Sequence, residues 1–422
     1  MSMFRTAALA ASLLLAACGT TPGPETAPQG PAQAAAELRP SVLLVSIDGF
    51  RADYLDLGLT PNLQRLADGG VRAQWMTPSY PSLTFPNHYT LVTGLRPDHH
   101  GVIHNTMRDP VLGKFRINDR EAVGSGAWWG GEPIWVAAEK AGLPTAAMFW
   151  VGSEAPVAGV RPTRWSRFDA GVGVDERIDR VLGWLAEPEE TRPRLATLYF
   201  EHLDSAGHRN GPRAPETLQA LREMDAAIGR LVEGLAARGL QDRVDLVVVS
   251  DHGMAEVPPG HVVVVEDMVE PADVELVSAG QSVGFQPVAG RTAAAEARLL
   301  GRHDHYECWR RGELPQRWHF GTHPRVPAIV CQMDEGWDAR PREYAARGGD
   351  RPRGSHGYDP ALPSMRAIFI ADGPSFVDGL ELPPIDNVDV YPLLAELLGI
   401  EPAAHDGDPA ALRPALDSAG AR

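Results

Sequence analysis

Three short apolar runs end directly in an acidic residue, and this pattern limits the fold of the 422-residue chain more than any other feature. Such runs are typical of strands that are buried on both faces of a parallel sheet. Two further runs are equally short and apolar. The predicted strands span residues 41–47, 145–149, 194–200, 245–250 and 367–370.

Helical patterns separate the predicted strands. This alternation is typical of an α/β fold with a largely parallel sheet flanked by helices. Thr60 is predicted to cap the first helix, and the glycine pair at 69–70 to end it. The predicted helices span residues 61–70, 86–93, 132–141, 175–185, 215–238 and 388–398.

One stretch, residues 258–353, breaks the alternation. It combines short strand-like pieces with glycine, proline, arginine and tryptophan. We interpret it as an insertion that forms a smaller subdomain or lid on the substrate side. The catalytic core would then consist of residues 40–257 and 354–401. Residues 402–422 show no apolar periodicity and are predicted to form a flexible tail.

The N-terminus resembles the export signal of a bacterial lipoprotein. Residues 1–17 contain Arg5 and an apolar run that is too short to span a bilayer. The run ends in Leu-Ala-Ala-Cys, so Cys18 is the predicted lipidation site and membrane anchor, although an ordinary cleaved signal is the alternative. Residues 18–39 are predicted to be a flexible tether. Gly19 favours the outer membrane, with the protein facing the periplasm or the cell surface.

Charge and cysteine content narrow the possible functions. The formal net charge is -16, which argues against a protein that coats nucleic acid. A small phosphorylated substrate remains compatible with this charge, because bound metal ions reverse the field locally. Besides Cys18, the chain has only Cys308 and Cys331. In an oxidising compartment they form either a disulfide or two buried thiols.

Acidic and histidine residues are concentrated where the predicted strands end. In parallel α/β sheets, ligands bind beyond these C-terminal strand ends. Acids and imidazoles that meet there repel each other or take up protons unless a cation supplies countercharge. Mixed oxygen and nitrogen ligands suit zinc, with manganese or iron as substitutes, and six of them suit two ions. The candidate ligands are Asp48, Asp204, His208, Asp251, His252 and His356.

Thr84 is the candidate nucleophile. Pro86 suits the first turn of a helix, so Thr84 is predicted at a helix N-terminus, where free N–H groups and the helix dipole attract phosphate. A threonine hydroxyl is a poor nucleophile, but metal coordination would deprotonate it. On local sequence alone, the simpler interpretation of Thr84 as an N-cap is favoured.

The order of these motifs resembles the nucleotide pyrophosphatase/phosphodiesterase family of the alkaline phosphatase superfamily. The resemblance extends over residues 42–398, and it implies an alkaline-phosphatase-like core. The matching segments are residues 45–51, 84–89, 101–105, 203–208, 250–254 and 354–358.

The resemblance also implies roles for individual residues. Thr84 would attack phosphorus and form a phosphothreonine intermediate. Asn105 would hydrogen-bond a phosphoryl oxygen, together with a backbone amide beside Thr84. Two zinc ions would be bound by two sets of residues, which are Asp204, His208 and His356 for one ion and Asp48, Asp251, His252 and Thr84 for the other.

Nucleoside triphosphates, dinucleotides and nucleotide sugars are the substrates that the resemblance implies, with nucleoside 5′-monophosphates as products. Phe85 and Phe168 would stack on the base, and Tyr199 would line the non-nucleotide side, unless they are ordinary packing residues. Phosphonates, phosphomonoesters and lipid-headgroup diesters are alternative substrates within the superfamily. A surface lipoprotein that binds zinc or nucleotides without turnover is an alternative of another class.

Overall fold

The computed structural model describes residues 39–345 and 351–417. The predicted export signal, the predicted lipidation site Cys18 and the predicted tether up to residue 38 therefore lie outside the described residues. Among the residues that are described, no helix is both long enough and apolar enough to cross a membrane.

The strands are short and occur throughout the described chain. In chain order they are β1 Ser41–Ile47, β2 Val71–Ala73, β3 Met76–Thr77, β4 Thr106–Asp109, β5 Gly113–Arg116, β6 Thr145–Met148, β7 Arg164–Trp165, β8 Leu195–Phe200, β9 Val244–Val249, β10 Ala255–Val257, β11 Val262–Val264, β12 Val274–Ser278, β13 Ser282–Pro287, β14 Gly301–Arg302, β15 Tyr306–Arg310, β16 Ile329–Met333, β17 Asp338–Arg340, β18 Arg353–Ser355, β19 Phe369–Asp372, β20 Leu380–Leu382 and β21 Ile385–Asp386.

The α-helices lie between these strands and after them. In chain order they are α1 Pro61–Gly69, α2 Thr84–Thr93, α3 Pro97–His100, α4 Arg120–Val123, α5 Ile134–Lys140, α6 Val174–Leu185, α7 His202–Asn210, α8 Pro215–Ala236, α9 Val265–Met268, α10 Thr292–Leu299, α11 Arg342–Ala345, α12 Val390–Leu398 and α13 Pro409–Leu412.

A central sheet of eight strands has the order β20-β2-β19-β9-β1-β8-β6-β7. Strand β1 pairs in parallel with both β8 and β9, and β6 pairs in parallel with β8 and β7. Strand β19 runs antiparallel to its neighbours β9 and β2. The sheet is therefore largely parallel, which confirms the predicted fold class.

Helices cover both faces of the central sheet. Successive side chains of a strand point to opposite faces, and accordingly Val42 and Leu44 of β1 belong to one hydrophobic cluster and Leu43 and Val45 to another. The first cluster includes residues of α2, α5 and α12, and the second includes residues of α1, α6 and α8. Burial on both faces explains why the strands are continuous apolar runs.

The predicted insertion contains a sheet of its own. Five antiparallel strands lie in the order β12-β13-β16-β15-β14, and a third hydrophobic cluster packs around them. Cys308 of β15 and Cys331 of β16 are direct cross-strand partners, and their Sγ atoms are bonded. Of the two alternatives for these cysteines, the structure therefore has the disulfide. Strands β10 and β18 pair antiparallel where the chain leaves the core and returns to it.

Two local predictions are wrong, and in both cases a tertiary contact is the reason. Thr60 makes no side-chain capping hydrogen bond to α1, because Asp225 of α8 accepts the N–H groups of Asn62 and Leu63 instead. The predicted flexible tail is packed as far as residue 417, since Leu412 and Ala415 are buried against the core.

Helix α7 has no counterpart among the predicted helices. Its nine residues include only two apolar side chains, Leu203 and Ala206, so the chain shows no helical periodicity there. The helix follows β8 directly, and it carries two of the predicted metal ligands.

Candidate active site

The strand ends bring the predicted ligands together. Asp48 follows β1 and Asp251 follows shortly after the adjacent strand β9. Asp204 and His208 lie on α7, which starts beyond the other neighbour of β1, and their spacing of four residues places them on one helix face. His356 follows β18. Segments that are far apart in the sequence therefore meet at one edge of the central sheet.

Asp204, His208 and His356 form a triangle of ligand atoms. Oδ1 of Asp204 is 3.4 Å from Nε2 of His208 and 3.7 Å from Nε2 of His356. The two Nε2 atoms are 3.0 Å apart. Ligands at about 2.0–2.1 Å from a tetrahedral zinc are separated from one another by about 3.3–3.4 Å. The triangle therefore has the dimensions of a ligand set for one metal ion.

A second set of ligand atoms surrounds His252. Nε2 of His252 is 2.9 Å from Oδ2 of Asp251 and 3.6 Å from Oδ1 of Asp48. Oγ1 of Thr84 is 3.3 Å from the same nitrogen. The two sets adjoin, because the rings of His252 and His356 stack with their centroids 3.6 Å apart.

Both sets contain a buried carboxylate oxygen whose chemistry suits a cation. Oδ1 of Asp48, Oδ1 of Asp204 and Oδ2 of Asp251 are buried, and within the described chain none of them accepts a hydrogen bond. A buried polar atom without a partner is costly. Each of these oxygens belongs to one of the two ligand sets, so a metal ion is the partner that their chemistry and position suit.

The three histidines direct the same nitrogen toward the site. Nδ1 of His208, His252 and His356 lies 2.9–3.0 Å from a backbone carbonyl oxygen in each case. A carbonyl accepts only, so Nδ1 carries the hydrogen and Nε2 keeps its lone pair. This arrangement is typical of metal-binding histidines, whose other nitrogen is fixed by a protein acceptor.

The charges of the site depend on one another. Burial, followed by the charges of Asp251 and Asp204, raises the pKa of Asp48 well above its ordinary value. Burial, followed by the proximity of His252 and His208, holds the pKa of His356 well below its ordinary value. The ring of His356 is therefore neutral at neutral pH, which is the state that binds a metal.

Gly49 lets the two acidic segments approach each other. Its φ is +70°, and a Cβ atom on this residue would lie 3.1 Å from both Cα and Cβ of Asp204. Its N–H donates to Oδ1 of Asp251 over 3.2 Å. A residue with a side chain would be strained here and would push Asp204 away from the candidate ligands that follow β1 and β9.

Thr84 is the first residue of α2, and Leu83 occupies the N-cap position. The interpretation of Thr84 as an N-cap is therefore wrong, because its hydroxyl faces His252 instead. The N–H of the next residue, Phe85, donates to Oδ1 of Asn105 over 3.0 Å. Asn105 thus lies beside the nucleophile candidate at the positive end of the helix dipole.

A cavity of about 400 Å³ opens beside Thr84. Phe85, Phe168 and Tyr199 all line it, together with Asp48 and Asp204. The remaining walls come from residues between 117 and 201. None of the described residues of the 258–353 insertion lines this cavity, so its role as a lid stays a prediction.

Two further features of the site have no counterpart among the predicted roles. His88, one helical turn after Thr84, is fully buried with Nδ1 3.3 Å from Oδ2 of Asp251; its helical spacing from Thr84 is a signal that could have revealed it. Phe168 is held by its backbone, since Arg120 donates to its carbonyl oxygen and Glu154 accepts its N–H. This contact joins separate loops and has no sequence signal.

Known proteins share both the sequence and the fold. Residues 42–359 match the family model described as type I phosphodiesterase / nucleotide pyrophosphatase. An uncharacterised pyrophosphatase/phosphodiesterase of Schizosaccharomyces pombe is 36% identical over 380 residues, which cover 87% of this chain and 78% of the relative. The bovine ectonucleotide pyrophosphatase/phosphodiesterase family member 3 is 37% identical over 87% of this chain, but the match spans 43% of the bovine protein.

A solved structure extends this similarity to the fold. Murine ectonucleotide pyrophosphatase/phosphodiesterase 5, in an inactive threonine-to-alanine variant in complex with AMP, superposes with a TM-score of 0.85. The match has 30% sequence identity and covers 90% of this chain and 100% of the murine one. The sequence match, the shared fold and the ligand geometry agree. The chain therefore belongs to the type I phosphodiesterase / nucleotide pyrophosphatase family.

Proposed function

We propose that this protein hydrolyses phosphodiester or pyrophosphate bonds of nucleoside triphosphates, dinucleotides or nucleotide sugars and releases nucleoside 5′-monophosphates. The observation that carries the proposal is the position of the Thr84 hydroxyl, which lies 3.3 Å from Nε2 of His252 at the wall of the cavity. AMP in the inactive murine relative supports a nucleoside monophosphate as the product.

We propose two zinc ions as cofactors, with manganese or iron as substitutes. When bound, the ions supply a Lewis acid that favours the alkoxide of Thr84 and compensates the charge of the phosphoryl group. The ligands would be Asp204, His208 and His356 for one ion and Asp48, Asp251, His252 and Thr84 for the other. His252 also lies close enough to Asp204 and His356 to share the first ion.

In the proposed reaction, Oγ1 of Thr84 forms a bond to phosphorus while the bond from phosphorus to the leaving oxygen breaks. The threonine proton passes to solvent, and the leaving group departs as an alcohol or a phosphate. The intermediate is a phosphothreonine that still carries the nucleoside on its phosphorus. Water then attacks this phosphorus, the bond from phosphorus to Oγ1 breaks, and the nucleoside monophosphate leaves while the threonine regains its hydroxyl proton. Asn105, fixed by the N–H of Phe85, is placed to donate its amide to a phosphoryl oxygen, where it would favour the transition state.

We propose that the base of the nucleotide lies against the aromatic walls of the cavity. Phe85 and Phe168 line the same cavity as Thr84, and base–aromatic stacking is worth about 1–3 kcal/mol. Tyr199 of β8 lines the same cavity, and its hydroxyl donates a hydrogen bond to Asp48. We therefore propose two roles for Tyr199, which are to line the non-nucleotide side of the cavity and to orient Asp48 as a metal ligand.

Three chromogenic esters test the proposal. We expect p-nitrophenyl thymidine 5′-monophosphate to be cleaved faster than p-nitrophenyl phosphate or p-nitrophenyl phosphorylcholine. Thr84→Ala should lose at least about a thousandfold in kcat, whereas Thr84→Ser retains a nucleophile and measurable turnover. A preference for either of the other esters would assign the protein to the monoesterases or headgroup diesterases. Parental turnover in Thr84→Ala would exclude Thr84 as the nucleophile.

We further propose that the chain is exported and anchored by a lipid on Cys18. The Leu-Ala-Ala-Cys sequence at residues 15–18 supports this, and the Cys308–Cys331 disulfide is consistent with an oxidising compartment. Metabolic labelling with radioactive palmitate should label the wild type but not Cys18→Ala. Equal labelling of both proteins would contradict the anchor.

A further inference from the structure

His88 is a buried polar residue to which the proposed reaction gives no part. It lies on α2 and is completely inaccessible to solvent. Nδ1 is 3.0 Å from the carbonyl oxygen of Thr84 and 3.3 Å from Oδ2 of Asp251. Nε2 is 2.8 Å from Oγ of Ser46, a residue of β1. One imidazole thus contacts the nucleophile, a metal-ligand candidate and the central sheet.

The partners of His88 fix its tautomer. The carbonyl oxygen of Thr84 only accepts, so Nδ1 carries a hydrogen and donates it there. The same N–H lies beside the carboxylate of Asp251. The hydroxyl of Ser46 then satisfies Nε2. The Nδ1–H group therefore donates to the backbone of Thr84 and faces the second ligand set, whereas Nε2 connects the ring to the sheet.

Neighbouring aromatic rings hold the imidazole in this orientation. Trp150 and Tyr199 meet it edge to face, with centroids 5.3 Å and 5.1 Å away. Nε1 of Trp150 also donates to the carbonyl oxygen of His88 itself. A ring packed on two sides in a close-packed interior has no room to change rotamer. The position of Nδ1 is therefore determined by the fold before any substrate arrives.

We propose that His88 is a positioning residue that sets the distance between Oγ1 of Thr84 and the Asp251–His252 ligands. This inference rests on the proposed function. Thr84 is the first residue of its helix, and helix ends fray. The approach of the same Nδ1–H group to Oδ2 of Asp251, 3.3 Å away, places this first turn against the metal-binding edge. A displacement of about 1 Å at a nucleophile can lower a rate about a hundredfold.

Two substitutions separate the roles of the two ring nitrogens. The amide nitrogen of asparagine can occupy the place of Nδ1, whereas the longer glutamine carries its amide to the place of Nε2. We expect His88→Gln to lower kcat on p-nitrophenyl thymidine 5′-monophosphate about 10- to 100-fold, with KM changed less than about threefold. We expect His88→Asn to retain kcat within about fivefold of the wild type.

The matched control is His100→Gln, which alters another buried histidine close to α2 that contacts no metal-ligand candidate. It should lower the melting temperature without lowering kcat. Circular dichroism and thermal melts would confirm that each variant is folded. Equal losses of kcat in folded His88→Asn and His88→Gln, or losses in His100→Gln as large as those in His88→Gln, would overturn the assignment to Nδ1.

Zinc retention provides a readout that does not depend on turnover. In a competition with a chelator, His88→Gln should release zinc at about tenfold lower chelator concentration than the wild type or His88→Asn. If the wild type cleaves the diester and Thr84→Ala does not, unchanged kcat and zinc retention in His88→Gln would overturn the role of His88 alone. If the wild type cleaves no diester, the proposed function fails, and zinc retention still tests the link between His88 and Asp251.

Discussion

The hydroxyl of Tyr199 donates a 2.6 Å hydrogen bond to Oδ2 of Asp48, and Oδ1 of the same carboxylate lies 3.6 Å from Nε2 of His252. One oxygen of Asp48 is therefore held by the protein, while the other faces the second ligand set. Burial, followed by the charge of Asp48, raises the pKa of Tyr199 well above its ordinary value. The phenol remains protonated at neutral pH and keeps Asp48 oriented.

Tyr199→Phe should disturb the metal-binding edge more than the cavity. The substitution removes the hydroxyl that orients Asp48 but keeps the aromatic ring on the cavity wall. We expect metal affinity or kcat to fall about 10- to 100-fold, with a small change in KM. Chelator competition and steady-state kinetics would measure both. A variant with wild-type values in both experiments would show that Asp48 needs no second residue to orient it.

Phe168→Ala should discriminate between substrates with and without a base. Loss of one stacking wall removes about 1–3 kcal/mol, or about 5- to 150-fold in kcat/KM, for p-nitrophenyl thymidine 5′-monophosphate. Bis(p-nitrophenyl) phosphate, which has no nucleobase, is the control substrate. Arg120→Gln removes the hydrogen bond to the carbonyl oxygen of Phe168. It should also lower kcat/KM for the thymidine ester, but by less than Phe168→Ala. An equal loss on both substrates would mean that Phe168 is a packing residue.

Metal removal should abolish activity and also change the pH dependence of stability. Burial raises the pKa of Asp48 in the folded state above the ordinary value of 3.8. Protonated Asp48 therefore stabilises the metal-free protein fully at a pH below 3.8. This stabilisation is lost as the pH rises through the pKa of the folded state. Zinc binds the deprotonated carboxylate and becomes more stabilising in the same direction. The melting-temperature difference between zinc-loaded and chelated protein should therefore be larger at pH 8 than at pH 5. A difference independent of pH would argue against a cation at Asp48.

Two buried histidines outside the metal ligands should make the protein sensitive to acid. Burial lowers the pKa of His100 to about 3 and that of His104 to about 4, and each Nδ1 accepts a backbone N–H. Such neutral histidines give stability that is present above their ordinary pKa of 6.5 and is lost as pH falls below it.

Each of these histidines should lower the free energy of unfolding by about 2 kcal/mol at pH 5 relative to pH 7. Urea unfolding at both pH values would measure the loss. His100→Gln removes one titrating group, so its free energy of unfolding should fall by about 2 kcal/mol less than that of the wild type over this interval. Parallel losses in the two proteins would show that His100 does not contribute.

The meeting of the candidate ligands could be predicted because each belongs to a short motif near a strand end. The topology of a parallel sheet then brings such ends to one edge, so the meeting of Asp48, Asp204 and Asp251 follows from the order of the motifs. Strand β1 could also be predicted from the sequence, because burial on both faces produces an uninterrupted apolar run.

Contacts between distant segments could not be predicted in this way. The hydrogen bond from Tyr199 to Asp48 and the hold of Arg120 on Phe168 depend on side-chain positions that no local pattern encodes. Helix α7 lacks an apolar stripe because one of its faces carries ligands. The predicted tail looks polar, yet a few side chains such as Leu412 are sufficient to anchor it to the core.

The distance along the chain between Asp48 and His356 has a consequence for the timing of activity. Their ligand sets adjoin through the stacked rings of His252 and His356. In the sequence, however, Asp48 directly follows β1, whereas His356 comes after the insertion. A chain that has been synthesised only as far as the insertion lacks a ligand that the complete site needs. The full set of candidate ligands is therefore present only after residue 356 has been synthesised.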